Sequence, residues 1–217
     1  MTWAVRGTAD GNGSGTTTVI DVSGIGIQDG DWVIVGFIDD EQSLTVTIDD
    51  SGWTEVAVFI ANGSGCKGWH KIAATEPSSY TVTQSITVSE SRARCLVLYD
   101  DAAGALTLDD ADAVGSLSDV GNLDGPTIDT ANNGHVVDFM FTDGTFGGYT
   151  TPPTGTQVGT VLGTLCQLDT YRQNVSAGTH QNSMDPVTPD GLGILSCSAH
   201  FAAAGGPRRY DIYMGTA

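Results

Sequence analysis

No apolar stripe of helical period persists for three turns anywhere in this chain. Short runs of β-branched and aromatic residues recur instead, separated by clusters of Gly, Asp, Asn and Ser. In the first half they are Thr16 to Val22, Asp31 to Ile38, Ser43 to Ile48, Trp53 to Ile60, Trp69 to Ala73, Tyr80 to Ser85 and Ala93 to Tyr99. In the second half they are His135 to Thr142, Gln157 to Leu162, Leu165 to Gln173, Leu192 to Phe201 and Tyr210 to Met214. A spacing of roughly ten residues per strand and turn predicts an antiparallel sandwich or barrel. Helix is expected as a turn or two at most, near Ala111 to Leu117. The fold class expected is all-β, an antiparallel β-sandwich of jelly-roll-like type.

The chain also matches itself. Asp31 to Asp39 aligns with His135 to Asp143, and Ser51 to Val56 with Thr154 to Val158. Cys66 answers Cys166, Cys95 answers Cys197, and Gly15 to Asp21 answers Gly125 to Asp129. A period of roughly 100 residues is too long for a solenoid and suits a duplicated half-sandwich or small sandwich. Residues 102–124 lack the composition of a flexible tether. The expectation is a first β repeat over 1–105 and a second over 106–217, packed as one continuous body.

Charge narrows the partners. Acidic residues number 26 against 8 basic ones, a net charge of −18. Phosphate neutralisation needs Lys and Arg, so a nucleic-acid surface is not expected. No apolar run approaches the length of a membrane-crossing helix, and Met1 is not followed by a signal-like segment, so neither membrane nor secretion is expected. The carboxylate clusters Asp39-Asp40-Glu41, Asp49-Asp50, Asp100-Asp101 and Asp109 to Asp112 lack the spacing of a calcium loop. They read as a solvated skin.

Chemistry-bearing motifs are missing. The 4 cysteines and 4 histidines (His70, His135, His180, His200) follow no zinc-ligand spacing, and the cysteines are expected as free, buried thiols. There is no Gly-x-Ser-x-Gly elbow and no phosphate-binding loop. The glutamates are Glu41, Glu55, Glu76 and Glu90, without the carboxylate pairing of a sandwich-fold glycoside hydrolase. No enzyme activity and no cofactor are expected. Trp32 and Trp53 read as core, whereas Trp69, beside His70 and Lys71, is expected half exposed and is the candidate for stacking on a sugar.

Four blocks in order carry a family likeness. They are Gly30-Asp31 with the strand to Ile38; Ser51-Gly-Trp-Thr-Glu55; Trp69-His-Lys-Ile-Ala-Ala-Thr-Glu-Pro-Ser-Ser-Tyr-Thr-Val-Thr83; and Cys95-Leu-Val-Leu-Tyr99. Together they resemble a β-rich domain of bacteriophage and prophage structural proteins. The second half keeps only Ala177-Gly178 and the apolar strand from Leu192 to Ala202. The resemblance implies a virion component assembled in the host cytoplasm, on the capsid surface rather than the tail. The expected role is a capsid decoration or cement protein, homo-oligomeric, that binds the major capsid protein or other virion proteins. The alternative is a tail or fibre component that recognises glycans through Trp69. Contact residues are expected in the terminal segments, at Trp3, Arg6, Arg208, Arg209, Tyr210 and Tyr213, residue types enriched at interfaces.

Overall fold

The computed structural model describes residues 3–41, 45–61, 64–100, 106–116, 122–144, 147–187 and 191–201, with the backbone alone for 57–61, 64 and 201. These residues form strands and no helix. The first half supplies β1 (Ala4–Asp21), β2 (Trp32–Asp39), β3 (Val46–Ile48), β4 (Thr54–Ala61), β5 (Ser64–Ile72) and β6 (Ser79–Tyr99). Next come β7 (Leu106–Ser116), β8 (Leu123–Asp124), β9 (Ile128–Thr130), β10 (Gly134–Asp143) and β11 (Tyr149–Thr151). The chain continues through β12 (Thr156–Val161), β13 (Cys166–Val175), β14 (Gly178–His180), β15 (Ser183–Pro186) and β16 (Leu192–Phe201).

Two antiparallel sheets form the body. One has the order β1-β6-β2-β5-β4, with β3 attached to β6; the other has the order β12-β13-β10-β16-β7. With only the five strands of each path numbered in chain order, the first path reads first, fifth, second, fourth, third, and the second reads the same from its β7 end, so the two sheets share one strand order. Each sheet comes from one contiguous half. That departs from a jelly roll, in which the chain alternates between sheets, because here each half of the chain completes one sheet before the next begins. The residue matches do not share the regularity of the strand order. Aligning Asp31 to Asp39 with His135 to Asp143 lays Val33, which faces outward, onto Val137, which faces the other sheet. Cys95 and Cys197 likewise lie in different cores. A one-residue offset in a strand exchanges its faces.

Alternation explains the layering. From β2, Trp32, Ile34 and Ile38 enter the core between the sheets, while Val33, Val35 and Phe37 enter a second core on the outer side. Both faces are covered, which is why this strand reads as an unbroken apolar run. From β10, Val137, Phe139 and Phe141 meet the first sheet and Met140 points away. The outer core is roofed by a flap, in which the later parts of β1 and the early part of β6 bring Ile20, Tyr80 and Val82 over the sheet. The bend that makes the flap lies at Gly13 to Thr17, where the β1–β6 register shifts twice and Gly15 adopts φ of +91°. On the far side, β11, β15 and β8 form a small covering sheet whose Met184, Leu123 and Tyr149 pack on Met140, Tyr171, Leu192 and Ile194.

Residues 111–116 belong to β7, not to the turn of helix expected there. The β7–β16 ladder shifts register between Cys197 and Ala199, so Leu106 and Leu108 and then Ala111 and Ala113 all face the inter-sheet core. The shift hides the alternation in the sequence. Leu117, like the strand expected at Tyr210 to Met214, lies outside the described residues.

Candidate functional site

The most concentrated chemistry lies on the outer face of the first sheet, around the turn from β3 to β4. Asp50 and Gly52 both take left-handed conformations there, with φ of 72° and 86°. The turn presents Trp53, whose indole donates to the Asp49 carbonyl at 3.1 Å. Its ring meets that of Tyr80 edge-on, with centroids 5.1 Å apart. Lys71, from β5, places its ammonium 4.4 Å from the Trp53 ring centroid and 5.0 Å from that of Tyr80. The same ammonium pairs with Asp50 and, at 2.6 Å, with Glu76. The Tyr80 hydroxyl donates to Glu76, and burial together with that bond pushes the phenol far above its ordinary value. Burial also acts to raise the Asp50 carboxyl, but the hydrogen bonds from Lys71 and the Ser51 backbone and the Lys71 charge outweigh it and leave the group lowered.

Beside this cluster lies a cleft of about 280 Å³ that includes Thr47, Asp50, Trp53 and Glu55 in its walls. Glu55 of its wall pairs with Lys67, whose Nζ lies 2.7 Å from the carboxylate and donates to the Val46 carbonyl at 2.7 Å. Trp69 differs from expectation. It is 3% exposed, packed in the outer core opposite Val35 of β2 and Glu55 of β4. Its polar neighbours misled, since Lys71 and His70 are themselves buried. Trp53 is half-buried, packed against the outer core, and both Trp53 and the more deeply buried Trp69 line the cleft.

The two N-terminal candidates, Trp3 and Arg6, make contacts within the fold. Trp3 is buried, stacked on His135 at 5.2 Å and edge-on to Trp32 at 5.7 Å between centroids. Arg6 grips Asp31 through Nε at 2.5 Å and Nη2 at 2.9 Å, and its guanidinium lies 4.1 Å from the Tyr99 ring centroid. Both were expected as contact residues; their side chains tie the first strand to its own fold. Arg208, Arg209, Tyr210 and Tyr213 lie outside the described residues.

Other polar groups are spent on structure. Among the described residues, no three His, Cys, Asp or Glu side chains converge as a metal would require. Asp109 pairs with His200 at 2.8 Å, Asp110 accepts the Asp129 N–H at 3.0 Å, and Asp112 accepts the Ala113 N–H at 2.8 Å. The buried Asp138 carboxyl accepts from Ser196 at 2.6 Å and Asn182 at 2.8 Å, yet burial still raises it above the ordinary range. The 4 cysteines are free and buried. Comparison with family models, with curated proteins and with solved structures returns no match for this chain.

Proposed function

We propose that this chain is a non-enzymatic structural protein of a bacteriophage virion, acting as a capsid decoration protein that binds the major capsid protein and stiffens the shell. One observation carries the reading. The blocks that give the family likeness, far apart in sequence, meet in space: Trp53, Lys71, Glu76 and Tyr80 form one cluster. Gly30 and Asp31 are joined to Ala73 by backbone hydrogen bonds of 2.9 and 2.8 Å. The likeness therefore falls on residues that fasten the flap and the β2 entry loop. A thick β body with an acidic skin suits a particle surface, where like charge keeps assemblies apart.

Quantitative mass spectrometry of purified particles against the major capsid protein tests this. Copies in proportion to the capsid protein support decoration, a handful per particle moves the chain to the tail, and none removes the virion reading. The cleft beside Trp53 favours the second reading, a tail or fibre component that contacts glycans, since an indole flanked by carboxylates suits a pyranose ring. That reading predicts binding to host envelope polysaccharide that is lost in Trp53→Ala, and a blank glycan array counts against it.

A further inference from the structure

The turn between β12 and β13, Leu162-Gly163-Thr164-Leu165, carries two leucines that the fold leaves in water. Leu162 is 68% exposed and Leu165 45%. The other large exposed hydrophobics among the described residues, Val19, Ile72, Ile86 and Val187, stand on four different segments. Scattered single residues need no explanation, whereas these two leucines stand together on one four-residue turn.

The turn is held in place by the other half of the chain. Glu90 of β6 accepts the backbone N–H groups of Leu165 at 3.0 Å and Cys166 at 3.1 Å through Oε1. Its Oε2 accepts the N–H and the hydroxyl of Thr164, each at 3.1 Å. Arg92 donates from Nε to the Leu162 carbonyl at 2.9 Å and lies 3.3 Å from Glu90. Between the leucines, Gly163 has no room for a side chain: a Cβ there would fall 1.9 Å from Glu90 Oε1 and 2.1 Å from the Cys166 carbonyl. Acidic groups stand around the base. Asp40 exchanges hydrogen bonds of 2.9 and 3.0 Å with the Glu90 backbone, Glu41 follows it exposed, and Asp143 pairs with Cys166 in the β10–β13 ladder.

We propose that this clamped turn is the anchor by which the chain docks on another virion protein, its two leucines entering an apolar socket rimmed by Lys and Arg; this rests on the virion reading above. Pre-organisation by Glu90 and Arg92 means that little ordering cost remains on binding. Charge selects the occupant. A second copy would bring the same acidic rim and a net charge of −18 against itself, whereas a basic rim complements it.

The experiment adds purified full-length protein to particles of the encoding phage grown without it and measures what pellets with them. Wild type binds to saturation. Leu162→Asp with Leu165→Asp, checked for an unchanged circular dichroism spectrum, loses binding at least tenfold, while Val19→Asp binds as wild type. Leu162→Cys supplies a readout that leaves the rest of the turn intact: with the native thiols buried, a maleimide labels it in the free protein and not in the particle-bound protein. Equal binding by the leucine variant, or undiminished labelling on the particle, overturns the anchor while the virion reading stands. Failure of wild type to bind overturns both. A leucine-dependent dimer in sedimentation, without binding to particles, overturns the choice of partner.

Discussion

The Phe139 ring occupies the space that Gly36 leaves by having no side chain. A Cβ on Gly36 would lie 2.5 Å from the Phe139 ring, and one on Gly68 would lie 2.4 Å from Leu195. Gly36 and Gly68 are direct partners in the β2–β5 ladder, as Phe139 and Leu195 are in the β10–β16 ladder. A pair of hollows in one sheet thus receives a pair of large side chains from the other. Gly36→Ala is expected to destabilise the protein by about 1–3 kcal/mol through overpacking, read from the urea midpoint. Phe139→Leu in the same background should recover part of that loss, because it frees the volume the new methyl takes.

Lys71 is the hub of the flap fastening. Its side chain is 3% exposed and serves two carboxylates and two rings. Lys71→Met leaves Asp50 and the buried Glu76 facing each other without a cation, a loss expected at about 3–5 kcal/mol. Adding Glu76→Gln should restore a measurable fraction, and a double-mutant cycle on thermal unfolding checks it.

Acid is expected to weaken the fold in two phases. Burial lowers His70 and His135 from an ordinary 6.5 to about 4, so between those values the unfolded chain binds protons that the folded one refuses. Stability therefore falls as pH drops through that window. Glu90 governs the next phase: burial acts to raise it, but the N–H groups of Cys166, Leu165 and Thr164, with Arg92, hold it below its ordinary 4.5. What it contributes is complete above that value and lost as pH falls through its folded value. Melting temperatures recorded across the acid range should show His135→Gln flattening the upper phase and Glu90→Gln the lower.

Burial pushes all four thiols up, three of them in the core between the sheets. A chromogenic disulfide reagent should find no fast-reacting thiol in the native protein and 4 in denaturant. A single fast thiol would show that one strand opens locally.

Strands buried on both faces were the legible ones. The run from Trp32 to Ile38 announces itself because its apolar side chains have a core on either face to enter. The stretch from Ala4 to Gly15 is rich in glycine and reads as loop, yet it pairs along β6, where ladder bonds outweigh propensity. β6 itself read as two strands, since the polar residues from Ser89 to Arg92 interrupt its apolar pattern while the backbone runs on from flap to sheet. Trp69 is more buried than its neighbour Lys71 suggests, because a flanking lysine signals exposure only when it reaches water, and the Lys71 ammonium is turned into a buried pair with Glu76. The clamp on the β12–β13 turn joins residues more than 70 positions apart, and no local pattern encodes such a meeting.

The shared strand order also gives the molecule two unlike poles. Ala4 pairs with Tyr99 and Leu106 with Phe201, and the Trp3–His135 stack lies at that same end of the sandwich. The β12–β13 turn lies at the other, one length of β2 away, about 25 Å at strand rise. Trp3 and the end of the last strand at Phe201 therefore both stand at the pole that the leucines do not use. Cargo can be displayed there without standing between the turn and whatever it grips.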